Sequence, residues 1–192
     1  MPNHFSNNLL NNIGGLTGTK PYIRVGGNTQ DYALYNASLP SATFGIVNSA
    51  RSMDHRPPLF IGPSYFQSFS TWPGTRFIYG FNLRLCFNNS AGLESLLETV
   101  PLACKALGHS RLLWWEYGNE PNLYPISLPI YTAQWLNGTR AIKQQLAKAC
   151  PELLTDNYGY IAPSLSNTVR LVPTFHGGLD VDQNIKLISC HK

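Results

Sequence analysis

The chain has 192 residues, 43% of them hydrophobic and 12% charged, which is enough apolar content to bury one core of single-domain size. Its net charge of +4 comes from 14 Lys and Arg against 10 Asp and Glu, scattered without a basic run, so nucleic-acid binding is not indicated. No stretch approaches the roughly 20 apolar residues of a membrane helix, and Met1-Pro2-Asn3-His4 opens without the charged and apolar regions of a signal peptide.

In chain order, Phe5, Leu9, Leu10 and Ile13 share one helical face, and Gly14-Gly15 is expected to end that helix. Tyr22-Ile23-Arg24-Val25 reads as a strand running into Gly26-Gly27-Asn28-Thr29-Gln30-Asp31. The glycine pair suggests a dinucleotide site, but the G-x-G-x-x-G pattern is missing and so is its later acidic partner. Residues 31–61 read as a long loop, because Asn36, Pro40, Gly45, Pro57 and Pro58 break any period.

Gly62-Pro63-Ser64 opens a short helix through Phe69, Trp72-Pro73-Gly74 is a turn, and Phe77 to Leu83 is the next strand. Leu93, Leu96, Leu97, Val100, Cys104 and Leu107 then follow helical spacing up to Gly108, with Pro101 expected to kink the helix. Tyr131, Trp135, Ile142 and Leu146 define another helix. Tyr158 to Ile161 and Ile185 to Cys190 read as the last strands. Strands alternating with helices predict a parallel sheet, hence an α/β fold over one domain, 1–192.

The most informative stretch is Leu112-Leu113-Trp114-Trp115-Glu116-Tyr117-Gly118-Asn119-Glu120-Pro121. Its short aromatic run suits a buried strand, and Pro121, which has no N–H for a ladder, requires the strand to end near Asn119. Glu120 is thereby held at a strand's carboxyl end, where α/β barrels carry their active sites. A lone Glu at such a place also serves as a surface or capping group. Its neighbours favour chemistry. Asn119 offers two donors and an acceptor, while Trp114, Trp115 and Tyr117 supply low-dielectric surroundings that favour the uncharged carboxyl a general acid needs.

Cys86, Cys104, Cys150 and Cys190 match neither a zinc spacing nor Cys-x-x-Cys and read as structural thiols. No metal or cofactor is expected. Three Asn-x-Ser/Thr triplets, at Asn36, Asn88 and Asn137, hint at glycosylation and secretion.

Four segments taken together carry a resemblance: Pro21-Tyr22-Ile23-Arg24-Val25-Gly26-Gly27-Asn28-Thr29-Gln30-Asp31, Ser70-Thr71-Trp72-Pro73-Gly74-Thr75, Trp115-Glu116-Tyr117-Gly118-Asn119-Glu120-Pro121 and Asn184-Ile185-Lys186-Leu187-Ile188-Ser189. Over nearly its whole length the chain resembles the fungal β-glucuronidases of glycoside hydrolase family 79, relatives of heparanase. The resemblance implies an incomplete (β/α)8 TIM barrel of about five parallel strands, without the first and the last two. It implies a retaining hydrolase of β-linked glucuronic acid, with a glucuronide-containing carbohydrate as partner and an extracellular location.

In such enzymes two carboxyl groups about 5 to 5.5 Å apart act as acid/base and nucleophile. The resemblance makes Glu120 the acid/base and Asn119 a ligand of the sugar's 2-hydroxyl, and it places the nucleophile beyond Lys192. The alternative is a truncated, non-catalytic product. Asn28 and Gln30 line the sugar pocket by the same resemblance, or else satisfy their own turn. Glu116 reads as a member of a structural ion pair rather than the missing nucleophile, since it lies mid-strand. Arg24, charged within an apolar strand, is its expected partner, because alternate barrel strands share an interior layer. His191 follows the last strand where the family has His-Asn, but here Lys192 comes next.

Overall fold

The computed structural model describes residues 4–45 and 59–191. Helix α1 (His4–Thr17) continues through Gly14 and Gly15 and stops at Gly18, whose φ of 81° favours a residue without Cβ. The expected stop at the glycine pair was therefore too early. A helix-interior glycine weakens a helix by only about 1 kcal/mol, less than is needed to end one. None of the described side chains of α1 is buried, and Phe5, Leu9, Ile13 and Leu16 are exposed.

Strand β1 (Ile23–Val25) follows, and then the region expected to be a long loop holds three short strands, β2 (Ala33–Tyr35), β3 (Thr43–Gly45) and β4 (Leu59–Ile61). They form a small sheet in the order β2-β4-β3, with β2 parallel and β3 antiparallel to β4. Three-residue strands are too short to leave a period in the sequence, so this sheet has no local signal that separates it from loop. Pro57 and Pro58 lie outside the described residues. The small sheet is tied to the rest of the fold through Asn82, whose amide donates to the Ala33 carbonyl (2.8 Å), and Ser95, whose hydroxyl accepts from Tyr35 N–H (3.1 Å).

The remaining elements are α2 (Pro63–Gln67), β5 (Phe77–Phe81), α3 (Ser90–Arg111), β6 (Leu112–Tyr117), α4 (Leu128–Ala149), β7 (Tyr160–Leu165), α5 (Leu171–His176) and β8 (Ile185–Cys190). The main sheet has five strands, all parallel, in the order β1-β5-β6-β7-β8, so the α/β architecture and the strand set expected from the sequence are present. Helix α3 is capped by Asn89, whose side chain accepts from Gly92 N–H (3.1 Å). Its one residue with non-helical angles is Gly108 (φ 53°, ψ −171°), so the interruption falls there and not at Pro101. The sequence reading passed over α5, a six-residue helix containing Pro173.

Side-chain alternation divides the sheet into two faces. Phe77, Tyr79, Phe81, Trp115, Tyr117 and Tyr160 point toward the helices and form the core with Val100, Ala103 and Leu107 of α3 and Trp135, Ile142 and Leu146 of α4. Contacts such as Phe81 with Trp115 (5.1 Å between centroids) and Trp135 with Tyr160 (5.5 Å) knit it together. Gly138 has to be glycine, since a Cβ there would lie 2.2 Å from the Tyr117 ring.

Two of the four cysteines are not thiols. Cys104 and Cys150 form a disulfide with Cα atoms 6.3 Å apart, while Cys86 and Cys190 are free. The bond joins α3 to the end of α4 across a sequence separation of 46. Closing a loop of that length limits the unfolded chain and contributes roughly 2–4 kcal/mol. Reduction should accordingly lower the urea midpoint, and a Cys104→Ser/Cys150→Ser variant should show the same loss and no further response to reductant. A reductant effect persisting in that variant would count against the assignment.

Candidate active site

The site is built at the carboxyl ends of β6, β7 and β8. On β6, Trp115 and Tyr117 face the helices, so alternation turns Glu116 to the opposite face, where it is 0% exposed. A carboxylate removed from water in this way needs charged or hydrogen-bonding partners. Arg24 of β1 provides them, with Nε donating to Glu116 Oε2 and Nη2 to Glu116 Oε1, both at 2.7 Å. Ser164 of β7 adds a hydroxyl that donates to Oε1. The expected Arg24–Glu116 contact is present, as a two-pronged pair, and both oxygens of Glu116 are engaged.

Beyond β6 the backbone turns sharply. Gly118 (φ 85°) approaches Leu83 so closely that a Cβ would lie 2.7 Å from it. Glu120 has φ 49° and ψ 49°, the left-handed region, which costs a residue with a Cβ about 1–2 kcal/mol. Strain of this kind persists where surrounding bonds enforce it and is concentrated at functional sites. Here Gly118 N–H donates to Phe81 O (3.0 Å), Glu120 N–H to Ser164 O (2.9 Å) and Leu123 N–H to Glu120 O (2.9 Å). The Glu120 side chain is 22% exposed, and its Oε1 lies 3.0 Å from Nδ1 of His191, which follows β8.

Asn119 is 4% exposed. Its Oδ1 accepts from Arg24 Nη2 (2.8 Å) and its Nδ2 donates to Asn28 Oδ1 (2.9 Å). Each group keeps one further bonding position. Asn28 is exposed beside it. Gln30, in contrast, is buried (5% exposed): its amide donates to Phe81 O (3.2 Å), and its Oε1 has no hydrogen-bond partner among the described residues. That oxygen packs where Gly26 and Gly80 leave room, since a Cβ at either would lie within 2.3 Å of it.

The aromatic surroundings expected for Glu120 are elsewhere. Trp115 packs on Tyr79 and Phe81, Tyr117 packs against α4, and Trp114 lines a cleft with Arg76, His109 and Tyr158 that does not include Glu120. The left-handed turn carries Glu120 away from its own strand, toward His191.

Three further residues at the site, Asp31, Tyr124 and Ser164, carry no local signal of a role in the sequence. Asp31 is 2% exposed. It accepts from Leu83 N–H (3.2 Å) and Asn119 N–H (3.1 Å) and from the Tyr124 hydroxyl. Burial pushes its carboxyl up to about 6, an effect the hydrogen bonds only partly offset. A carboxyl raised in the folded state favours folding while it is protonated. That contribution is complete below the ordinary value of 3.8 and is lost as pH climbs through about 6. The difference corresponds to about 2–3 kcal/mol. The urea midpoint should therefore fall between pH 4 and 7 more steeply in the native sequence than in Asp31→Asn, and parallel curves for the two would refute this.

Asn36, Asn88 and Asn137 are all exposed. Asn137 lies within α4, and Thr139 of its triplet is fully buried, its hydroxyl donating to Trp135 O (2.9 Å).

No family model matches the chain. It is 52% identical over 205 aligned positions to a β-glucuronidase of Neurospora crassa and 48% identical over 204 to a β-glucuronidase of Aspergillus niger, in each case across 99% of this chain. The chain spans 37% of the length of either protein. Among solved structures it is similar to a 4-O-α-L-rhamnosyl-β-D-glucuronidase of Fusarium oxysporum 12S in complex with Rha-GlcA, with a TM-score of 0.66 and 26% identity over 95% of this chain and 39% of that one. Its five parallel strands and helices thus match part of a TIM-barrel-like fold.

Proposed function

We propose that this chain, a homologue of the fungal β-glucuronidases, carries the acid/base portion of a retaining glycoside hydrolase that acts on β-linked glucuronic acid. The observation that carries the reading is Glu120. It is a partly exposed carboxyl held in a left-handed turn at the carboxyl end of a barrel strand, immediately after an Asn119 fixed on both sides by Arg24 and Asn28. Glu120 protonates the glycosidic oxygen as the aglycone leaves. Once the sugar is bonded to the nucleophile, the resulting carboxylate takes a proton from the water that releases it.

Asn119 has one N–H left for the sugar's 2-hydroxyl, and Asn28 offers an exposed amide at the rim. Gln30 supports this wall from beneath. Glu116 does not serve as nucleophile, because Arg24 and Ser164 occupy its oxygens. The nucleophilic carboxyl is assigned to the part of the relatives' length that these 192 residues do not span. The Cys104–Cys150 disulfide and the exposed Asn36, Asn88 and Asn137 support an extracellular, glycosylated protein.

The test compares two proteins on an aryl β-glucuronide: the 192-residue chain, and a chimera in which this chain replaces the matching 37% of the Neurospora crassa β-glucuronidase. The chain alone should show no turnover above its Glu120→Gln variant, since an acid without its nucleophile forms no glycosyl-enzyme intermediate. The chimera should release the β-anomer first, as proton NMR would detect. Initial release of the α-anomer would overturn the retaining mechanism, and an inactive but folded chimera would overturn the assignment.

A further inference from the structure

We propose that Asp31, paired with Tyr124, is a positioning residue for Glu120: the two form a clamp that holds the turn carrying the acid. The inference rests on the reading of Glu120 as the acid and adds to it a group that nothing in the reaction itself requires.

A carboxylate 2% exposed is costly to keep, and its partners indicate what it does there. Of the four donors to Asp31, the backbone N–H groups of Leu83 and Arg84 belong to the segment that follows β5. The other two bracket Glu120 in sequence, Asn119 N–H on one side and the Tyr124 hydroxyl on the other. Tyr124 also lies 3.2 Å from the Asn119 carbonyl, so Asp31, Tyr124 and Asn119 close a ring around the base of the turn. The Tyr124 ring is itself fixed, with the Arg84 guanidinium 5.2 Å from its centroid and 5.3 Å from that of Tyr32. The Asp31 charge in turn reaches Cys86, Tyr117 and Tyr131 and helps to hold all three in their protonated forms. None of them donates to Asp31.

The clamp closes in either protonation state of Asp31. When the carboxyl is ionised, the Tyr124 proton points at it. When the carboxyl is protonated, its own proton goes to the Tyr124 oxygen, and the Tyr124 proton turns to the Asn119 carbonyl. A left-handed Glu120 needs such a restraint, because a relaxed turn would swing the acid off the glycosidic oxygen, and a displacement of about 1 Å can cost on the order of 100-fold in rate.

The test uses Asp31→Asn, which keeps the shape but loses the charge, and the milder Tyr124→Phe, which removes one hydroxyl. In the chimera, each variant should lower kcat/KM on glucuronides with poor leaving groups by about 10- to 100-fold. The loss in kcat/KM should be small on aryl glucuronides with good leaving groups, because the defect acts through proton donation in the first step. An equal loss of kcat/KM on all substrates, or unchanged kcat/KM with only a lower Tm, would overturn the clamp. If Glu120→Gln itself shows no dependence on leaving group, the acid assignment fails. If Glu120→Gln shows it and the clamp variants do not, only this inference fails. Hydrogen exchange on the 192-residue chain gives a readout without activity: residues 119–124 should exchange faster in both variants while α3 and α4 are unchanged, and either uniform loss of protection or no change would overturn the clamp.

Discussion

In the chimera, Glu120→Gln is expected to lower kcat/KM by about 10²–10⁴-fold on glucuronides whose aglycone leaves as an alkoxide, and by far less on those whose aglycone leaves as a weakly basic phenolate. A glycosidic oxygen departing as a strong base must be protonated as the bond breaks, whereas a stabilised phenolate departs without help. Gln keeps the size and one oxygen of Glu120 but has no proton to give at the required acidity. Its neighbours should be little disturbed, since the turn is held by backbone bonds from Gly118, Glu120 and Leu123. A series of aryl and alkyl glucuronides compared by kcat/KM would therefore give a steep dependence on leaving-group basicity in the variant and a shallow one in the parent. Parallel lines would remove Glu120 from the acid role.

Arg24→Ala should be the most destabilising single change at the site, by about 3–5 kcal/mol in urea unfolding, because it leaves a buried carboxylate without its charge partner. Glu116 is 0% exposed and would retain only the Ser164 hydroxyl, and Asn119 Oδ1 would lose its guanidinium donor as well. Replacing both members of the pair with apolar residues of similar volume, Arg24→Met with Glu116→Leu, should recover much of the loss, since the main cost is the unpaired charge and not the missing attraction. A cost under about 1 kcal/mol for Arg24→Ala would mean the pair behaves as an exposed surface bridge.

Several features of the site were legible because their signals are local. The aromatic run broken by Gly118 and Pro121 marks the end of β6 and places Glu120 there, and period-two alternation separates Glu116 from Trp115 and Tyr117. Arg24 and Glu116 were matched because each is a lone charge in an apolar strand, and the structure pairs them at 2.7 Å. The helices of the long apolar stripes, α3 and α4, were found for the same reason.

Tertiary structure decided the rest, and the reason is distance along the chain. Asp31 meets Leu83, Asn119 and Tyr124 across sequence separations of 52, 88 and 93. Nothing in its own neighbourhood distinguishes it from a turn aspartate. The Cys104–Cys150 bond depends on how α3 and α4 lie against each other, and His191 reaches Glu120 only because β8 is brought to the same end of the sheet as β6, a separation of 71. The strands of the small sheet are three residues each, shorter than any period that would reveal them. By itself the sequence determined the five strands of the main sheet in their order and the place of Glu120 at the end of β6. Only the register of the assembled sheet determined which distant groups meet around the Glu120 turn, because such contacts are set by how strand ends align in space and leave no local pattern to read.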